Sequence, residues 1–236
     1  IMKLITASAA ILLCCSPINA NAKQLWSDTS VTLMKGTQYE VGDTDKTVFT
    51  LEHAGGHSWG SVFAFVDRLS HSNDNNHEIY GEFGANITLK KLNNSVFKDV
   101  YLATQWEFSS DKFAQFDNYL VGVGTNLSIP KFNFANITYY RRNNELGDNN
   151  NQLTFVWSLP VGDSVIYDGF IDAIDSSKTN ASGFNFTSQL KYDVGQHIGI
   201  EKNKLYAGIE YVYWKNKFGI DGVTEKNPNI MVKWHF

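Results

Sequence analysis

The chain has 236 residues, 43% of them hydrophobic and 19% charged, and its 20 Lys and Arg against 24 Asp and Glu give a formal charge of −4. That length suits a single all-β domain or two small domains. Apart from Arg141-Arg142 there is no arginine cluster and no basic stripe, so the electrostatic footprint of a nucleic-acid binder is missing and no nucleic-acid partner is expected.

Residues 1–22 read as a secretory signal. Lys3 gives a positive start, Leu4 to Cys15 an apolar core too short to cross a bilayer, and Ala20-Asn21-Ala22 a small-x-small cleavage site. Lipidation at Cys14 or Cys15 would want a small residue just before the cysteine, and Leu13 or Cys14 stands there. Removing this segment takes both cysteines and Lys3, leaving residues 23–236 with a charge of −5. A cysteine-free chain in an oxidising compartment needs another source of stability.

No later stretch is apolar for long enough to be a membrane helix. Instead, period-two alternation recurs in short runs broken by Gly, Asn, Asp and Ser. It predicts twelve strands near 29–39, 47–54, 59–69, 77–89, 99–108, 116–129, 132–143, 151–159, 165–176, 185–196, 204–215 and 228–236. In the third, Val62, Ala64 and Val66 alternate with Phe63, Phe65 and Asp67. In the ninth, Val165, Tyr167, Gly169 and Ile171 alternate with Ile166, Asp168, Phe170 and Asp172. Tight connections follow strands two, six and eight, at Gly55-Gly56-His57, Pro130-Lys131 and Pro160 to Ser164. Longer polar ones follow strands three, seven, nine and eleven. Short turns at one end and long loops at the other are the layout of an outer-membrane barrel, though the connection near Lys91 to Lys98 is long for a short-turn end. The last run, Ile230 to Phe236, alternates strictly and stops on an aromatic. A soluble sandwich would leave that strand as a hazardous apolar edge, whereas in a barrel it pairs with the first strand. With 11 Tyr, 16 Phe and 6 Trp, aromatic girdles are expected at the two membrane interfaces. The fold class is therefore all-β, a twelve-stranded antiparallel transmembrane β-barrel over 23–236, in the outer membrane of a Gram-negative bacterium. Its expected partners are outer-membrane lipid, lipopolysaccharide and the barrel assembly machinery.

Motifs for chemistry are sparse. Gly122-Val123-Gly124 has neither the remaining glycine nor the helix of a dinucleotide fingerprint. His53 and His57 lie on a strand and turn, where four residues apart is not a shared helical face, so no metal is assigned. No Gly-x-Ser-x-Gly elbow occurs and no Ser, His and acid are singled out as a triad. Asp168 and Asp172 share a strand face but lie about 13 Å apart, too far for paired glycosidase carboxylates. The chain reads as a non-enzyme without cofactor.

The lumen face remains. If the apolar partners face lipid, the inward set includes Glu52, Phe63, Phe65, Asp67, Glu78, Tyr80, Glu82, Gln105, Glu107, Asp168, Phe170, Asp172, Asp193, Tyr206, Glu210 and Trp214, with fewer cations, Arg142, Lys191 and Lys233. Ring faces stack on flat solutes and carboxylates accept hydrogen bonds from hydroxyl and N–H groups. An acidic lumen repels phosphate monoesters. Such a lining suits a nucleoside better than a nucleotide, and it suits a general porin equally well.

The runs Thr50 to Ala54, Trp59 to Asp67 and Glu78 to Glu82, with the terminal Lys233-Trp234-His235-Phe236, resemble the nucleoside-specific channel-forming family, Tsx-like, and especially its OmpK branch from marine Gram-negatives. The resemblance implies a monomeric twelve-stranded barrel passing nucleosides by passive diffusion, with outer loops that serve phage or bacteriocins as receptors in some members. Parity and those runs nominate Phe63, Phe65, Asp67, Glu78, Tyr80, Glu82, Asp168, Phe170, Asp172 and Glu210 as solute contacts. A general small-solute porin stays open, as does a barrel enzyme acting on lipid.

Overall fold

The structure, a computed structural model, describes residues 22–93, 96–112 and 114–236; nearly all of the signal segment, including Cys14 and Cys15, lies outside them. Twelve antiparallel strands close into a barrel: β1 Gln24–Gly36, β2 Lys46–His57, β3 Gly60–His71, β4 His77–Lys91, β5 Asp99–Ser110, β6 Gln115–Asn126, β7 Phe134–Asn143, β8 Asn150–Val161, β9 Val165–Ile174, β10 Gly183–Asp193, β11 Leu205–Lys215 and β12 Thr224–His235. Each strand pairs with its sequence neighbours, and β12 returns to β1 from Ser30↔His235 to Gly36↔Asn229. The amide of Phe236 donates to the Thr29 carbonyl at 3.0 Å. No edge is left, so the backbone of the wall pairs along a continuous ladder.

Contacts between strands that are not neighbours identify the inside. Lys233 of β12 reaches across β1 to Glu52 of β2 at 2.8 Å, and Arg142 of β7 reaches across β6 to Glu107 of β5 at 2.7 Å. These bridging ion pairs are buried and charged, Lys233 and Glu107 each being 4% exposed, and so belong to the concave face, where side chains converge. From these anchors the register fixes every parity: Glu52 pairs with Phe65, Phe65 with Glu82 and Glu82 with Glu107. All sixteen residues expected to face inward do so, and so do Arg142, Lys191 and Lys233. The convex face carries exposed Leu33, Phe49, Phe83, Val121, Ile230 and Val232. An apolar surface this extensive would aggregate in water and is the lipid contact of a membrane barrel. Also on this face, Trp157 lies stacked between Phe155 and Phe186, at 5.7 and 5.9 Å, and covers Gly169.

The lumen is not uniformly polar. Tyr101, Ala103, Leu120 and Tyr140 form one apolar patch inside it. Tyr101 lies flat over Gly124, where an added Cβ would come within 2.4 Å of the ring, and its hydroxyl shares a hydrogen bond with Thr138 Oγ1 at 2.7 Å. A second patch joins Met34, Val48, Met231 and Tyr39.

Two expectations need correction. The contrast between short turns and long loops does not hold. At the rim where β1 begins and β12 ends, 58–59 and 162–164 are tight, but 92–98, 127–133 and 194–204 are not. The first two of these are zipped together, Ser128 N–H donating to the Val96 carbonyl at 2.7 Å. The third is held by Asp193, which accepts from the amides of Gly195 at 3.1 Å and Asn203 at 2.8 Å. A loop can thus be long while its backbone groups stay satisfied. Second, the first strand ends at Gly36 rather than 39. At Gly36 a Cβ would fall 1.9 Å from the Asn229 side chain, and beyond it the chain turns inward.

Candidate functional site

Strands β3 and β4 build the first half of the candidate site. Phe63, Phe65 and Asp67 project inward from β3, and Glu78, Tyr80 and Glu82 from β4. The rings form a ladder, Phe63 to Phe65 at 5.9 Å and Phe65 to Tyr80 at 5.8 Å. Phe63 is its least enclosed rung, 42% exposed. The Tyr80 hydroxyl donates to Glu82 at 2.5 Å and the Gln105 amide donates to the other Glu82 oxygen at 2.7 Å. Asp67 accepts from the Thr50 hydroxyl at 2.5 Å. Glu78 differs: Lys46 Nζ lies 2.6 Å and His71 Nε2 2.5 Å from one of its oxygens.

Strands β9 to β11 supply the second half. Asp168 is ion-paired with Lys191 at 2.6 Å. Asp172, two positions past Phe170 on the same face, accepts from Thr154 at 2.6 Å and Gln152 at 3.0 Å. Glu210 accepts from Gln189 at 2.8 Å and Asn229 at 3.2 Å. The halves meet electrostatically. Glu82, Glu107 and Asp172 share the field of Arg142, while Glu52, Asp67 and Glu210 share that of Lys233. Arg142 grips Glu107 with both terminal nitrogens, at 3.0 and 2.7 Å, and also donates to Gln152.

The ten nominated residues therefore divide. Glu78 and Asp168 each hold an ammonium group and are saturated as charges. Among the described residues Asp67, Glu82, Asp172 and Glu210 accept only from neutral donors, so they add to the lumen's acid excess, and the rings of Phe63, Phe65 and Tyr80 lie beside two of them. Sequence reading missed Lys46 and Lys217, both buried, and Tyr39. Lys46 has inward parity but fell one residue outside the predicted second strand. Tyr39 is the last residue of the first strand expected from the sequence, whereas the strand ends at Gly36 and Tyr39 lies in the loop beyond it.

One feature at the terminal rim has the outline of hydrolytic chemistry. His235 Nδ1 lies 2.8 Å from Asp28, and His235 is the cross-strand partner of Ser30. The Ser30 hydroxyl is buried and has no hydrogen-bond partner among the described residues. A nucleophile must be bonded to its base and open to substrate, so this group does not form a triad. Among the described residues no cluster of His, Cys, Asp and Glu suits a metal ion.

A closed twelve-stranded barrel with an apolar outside and a charged, aromatic inside is the architecture of an outer-membrane porin. Solved structures agree on the fold. The KdgM porin, alone and in complex with disordered oligogalacturonate, superposes with TM-scores of 0.55 and 0.54 at 10% identity, over 88% of this chain and 99% of KdgM. The NanC porin superposes with a TM-score of 0.50 at 11% identity, over 89% of this chain and 99% of NanC. No family model and no curated protein matches the sequence.

Proposed function

We propose that the chain is a passive outer-membrane channel for nucleosides and similar small neutral solutes. The observation that carries this reading is the Phe63, Phe65 and Tyr80 ladder set beside the carboxylates of Asp67 and Glu82. A flat base stacks on the rings while sugar hydroxyls and base N–H groups donate to the carboxylates. Asp172, Phe170 and Glu210 offer the same chemistry from the other half, and Glu78 and Asp168 act through the lysines they hold. The resemblance to Tsx-like channels supports the reading. The acid excess argues against an anionic oligosaccharide such as the one bound by KdgM, because four carboxylates without a cation of their own repel it. The terminal rim faces the periplasm, the far-rim loops are the surface open to phage or bacteriocins, and the barrel works as a monomer.

A general small-solute porin is the second reading, favoured by the fold likeness to KdgM and NanC. Single-channel recording in lipid bilayers separates the two. Nucleosides block the current and their monophosphates do so far less. Phe65→Ala weakens the nucleoside block by about tenfold, since base stacking contributes about 1–3 kcal/mol. Equal vesicle-swelling rates for nucleosides and sugars of similar size would favour the general porin. An unchanged block in a folded Phe65→Ala barrel would remove the stacking role.

A further inference from the structure

We propose that Tyr39 is the size-setting constriction of the channel, a ring that the loop 37–45 holds across the far mouth above the Asp67 and Glu210 carboxylates. The inference rests on the channel reading but not on nucleoside preference. After Gly36 the loop folds into the barrel instead of standing out from it, and Tyr39 is only 7% exposed. Three consecutive residues dock on inward side chains of β12. The Gln38 amide donates to Asn227 Oδ1 at 3.1 Å, the Tyr39 hydroxyl to Asn229 Oδ1 at 3.0 Å and the Glu40 amide to Glu225 Oε2 at 3.1 Å. The Tyr39 ring packs against Met34, Val48 and Met231.

Cations brace the ring. Lys46 Nζ lies 5.0 Å and Lys217 Nζ 5.8 Å from its centroid, within cation–π range. Each lysine is also fixed by an acid, Glu78 for Lys46 and Glu225 for Lys217, both at 2.6 Å. Lys46 further donates to the Val41 carbonyl of the same loop at 2.8 Å. Burial first, then the nearby carboxylates of Glu210 and Glu225, hold the phenol above its usual range. It therefore stays a neutral donor, and Asn229, its acceptor, bonds Glu210 in turn. The ring and the loop that carries it thus occupy the mouth next to the Glu210 carboxylate, and pore diameter at such a point sets which solutes pass.

The test compares the full barrel with Tyr39→Ala, Tyr39→Leu and Tyr39→Phe by single-channel conductance, by swelling of vesicles in graded sugars, and by amide exchange over 37–45. Tyr39→Ala should raise conductance by about twofold or more and admit sugars that the parent excludes. Tyr39→Leu, which keeps apolar packing should alanine compromise folding, should do the same to a lesser degree. Tyr39→Phe should keep the size limit, and the Gln38 and Glu40 amides should exchange slowly until the ring is removed. Parent conductance and size limit in folded Ala and Leu variants would overturn the proposal, as would rapid exchange at 38 and 40 in the parent. Wider pores in a barrel indifferent to nucleosides would uphold the constriction and reject the nucleoside reading. A folded barrel that stays closed to ions with and without Tyr39 would reject both.

Discussion

Arg142→Met tests whether the lumen charges hold the barrel together. Arg142 is 12% and Glu107 5% exposed at the side chain, so this pair counts as buried. The substitution removes two charge-assisted hydrogen bonds to Glu107 and one each to Gln152 and Asn144. Such bonds contribute about 1.5–3 kcal/mol each. The loss also leaves Glu107 facing Glu82 and Asp172 with no cation between them. Breaking a buried pair from one side costs about 3–5 kcal/mol, and that is the loss expected in urea unfolding from lipid vesicles. Arg142→Met combined with Glu107→Met removes the stranded charge along with its partner, and should recover about half or more of that loss. Single-channel reversal potentials should also shift toward cations in the single variant. An unaltered urea midpoint in Arg142→Met, or a double variant that loses the sum of both single effects, would refute the reasoning.

Two further outcomes follow from the wall and the far rim. Gly124→Ala places a Cβ against the Tyr101 ring, 2.4 Å from its nearest atom. Displacing the ring breaks its bond to Thr138, and overpacking of this kind costs about 1–3 kcal/mol, readable as a lower urea midpoint; no change would mean that the lumen has room for the ring to move. At the far rim, Asp43 accepts from the Asp45 amide and from both the side chain and the amide of Asn73, and these bonds hold its carboxyl well below the usual carboxylate range. A depressed value means that the tie from loop 37–45 to loop 72–76 is present above about pH 4 and is lost only as pH falls through the lowered value. Neighbouring Asp45 and Asp74 are lowered too, by hydrogen bonds from Lys35 and Lys112 respectively. Amide exchange at Asn73 should thus stay slow at pH 5 and become fast in Asp43→Asn, and a loop released already at pH 5 would contradict the assignment.

The wall was legible in the sequence because its two faces need opposite chemistry. Lipid on one side and solute on the other impose strict alternation, and an error of a few residues at a strand end does not alter parity within it. Phe63, Phe65 and Asp67 could be placed inside for that reason alone. Tyr39 and Lys46 could not, because they lie where a strand gives way to a loop and alternation stops carrying information. The route of loop 37–45 depends on Asn227, Asn229 and Glu225, roughly two hundred residues further along the chain, whose side chains create the seats it occupies.

The charge of the lumen depends on equally distant contacts. Summing inward acids and bases gives an acidic lumen but not the places where the acidity acts. Which carboxylate receives a cation is decided across the curvature of the barrel, as when Lys233 meets Glu52 over a separation of 181 residues. Pairing removes Glu78 near the far rim and Asp168 near the terminal rim from the uncompensated set. Asp67, Glu82, Asp172 and Glu210 lie within their strands, so the repulsion of anions acts inside the barrel wall and not only at its rims. A neutral solute meets no such barrier and gains acceptors there, beside the only aromatic ladder among the described lumen residues that adjoins two of these acids. Size is then filtered at Tyr39 and charge further in, which means that conductance and anion exclusion should respond to different substitutions.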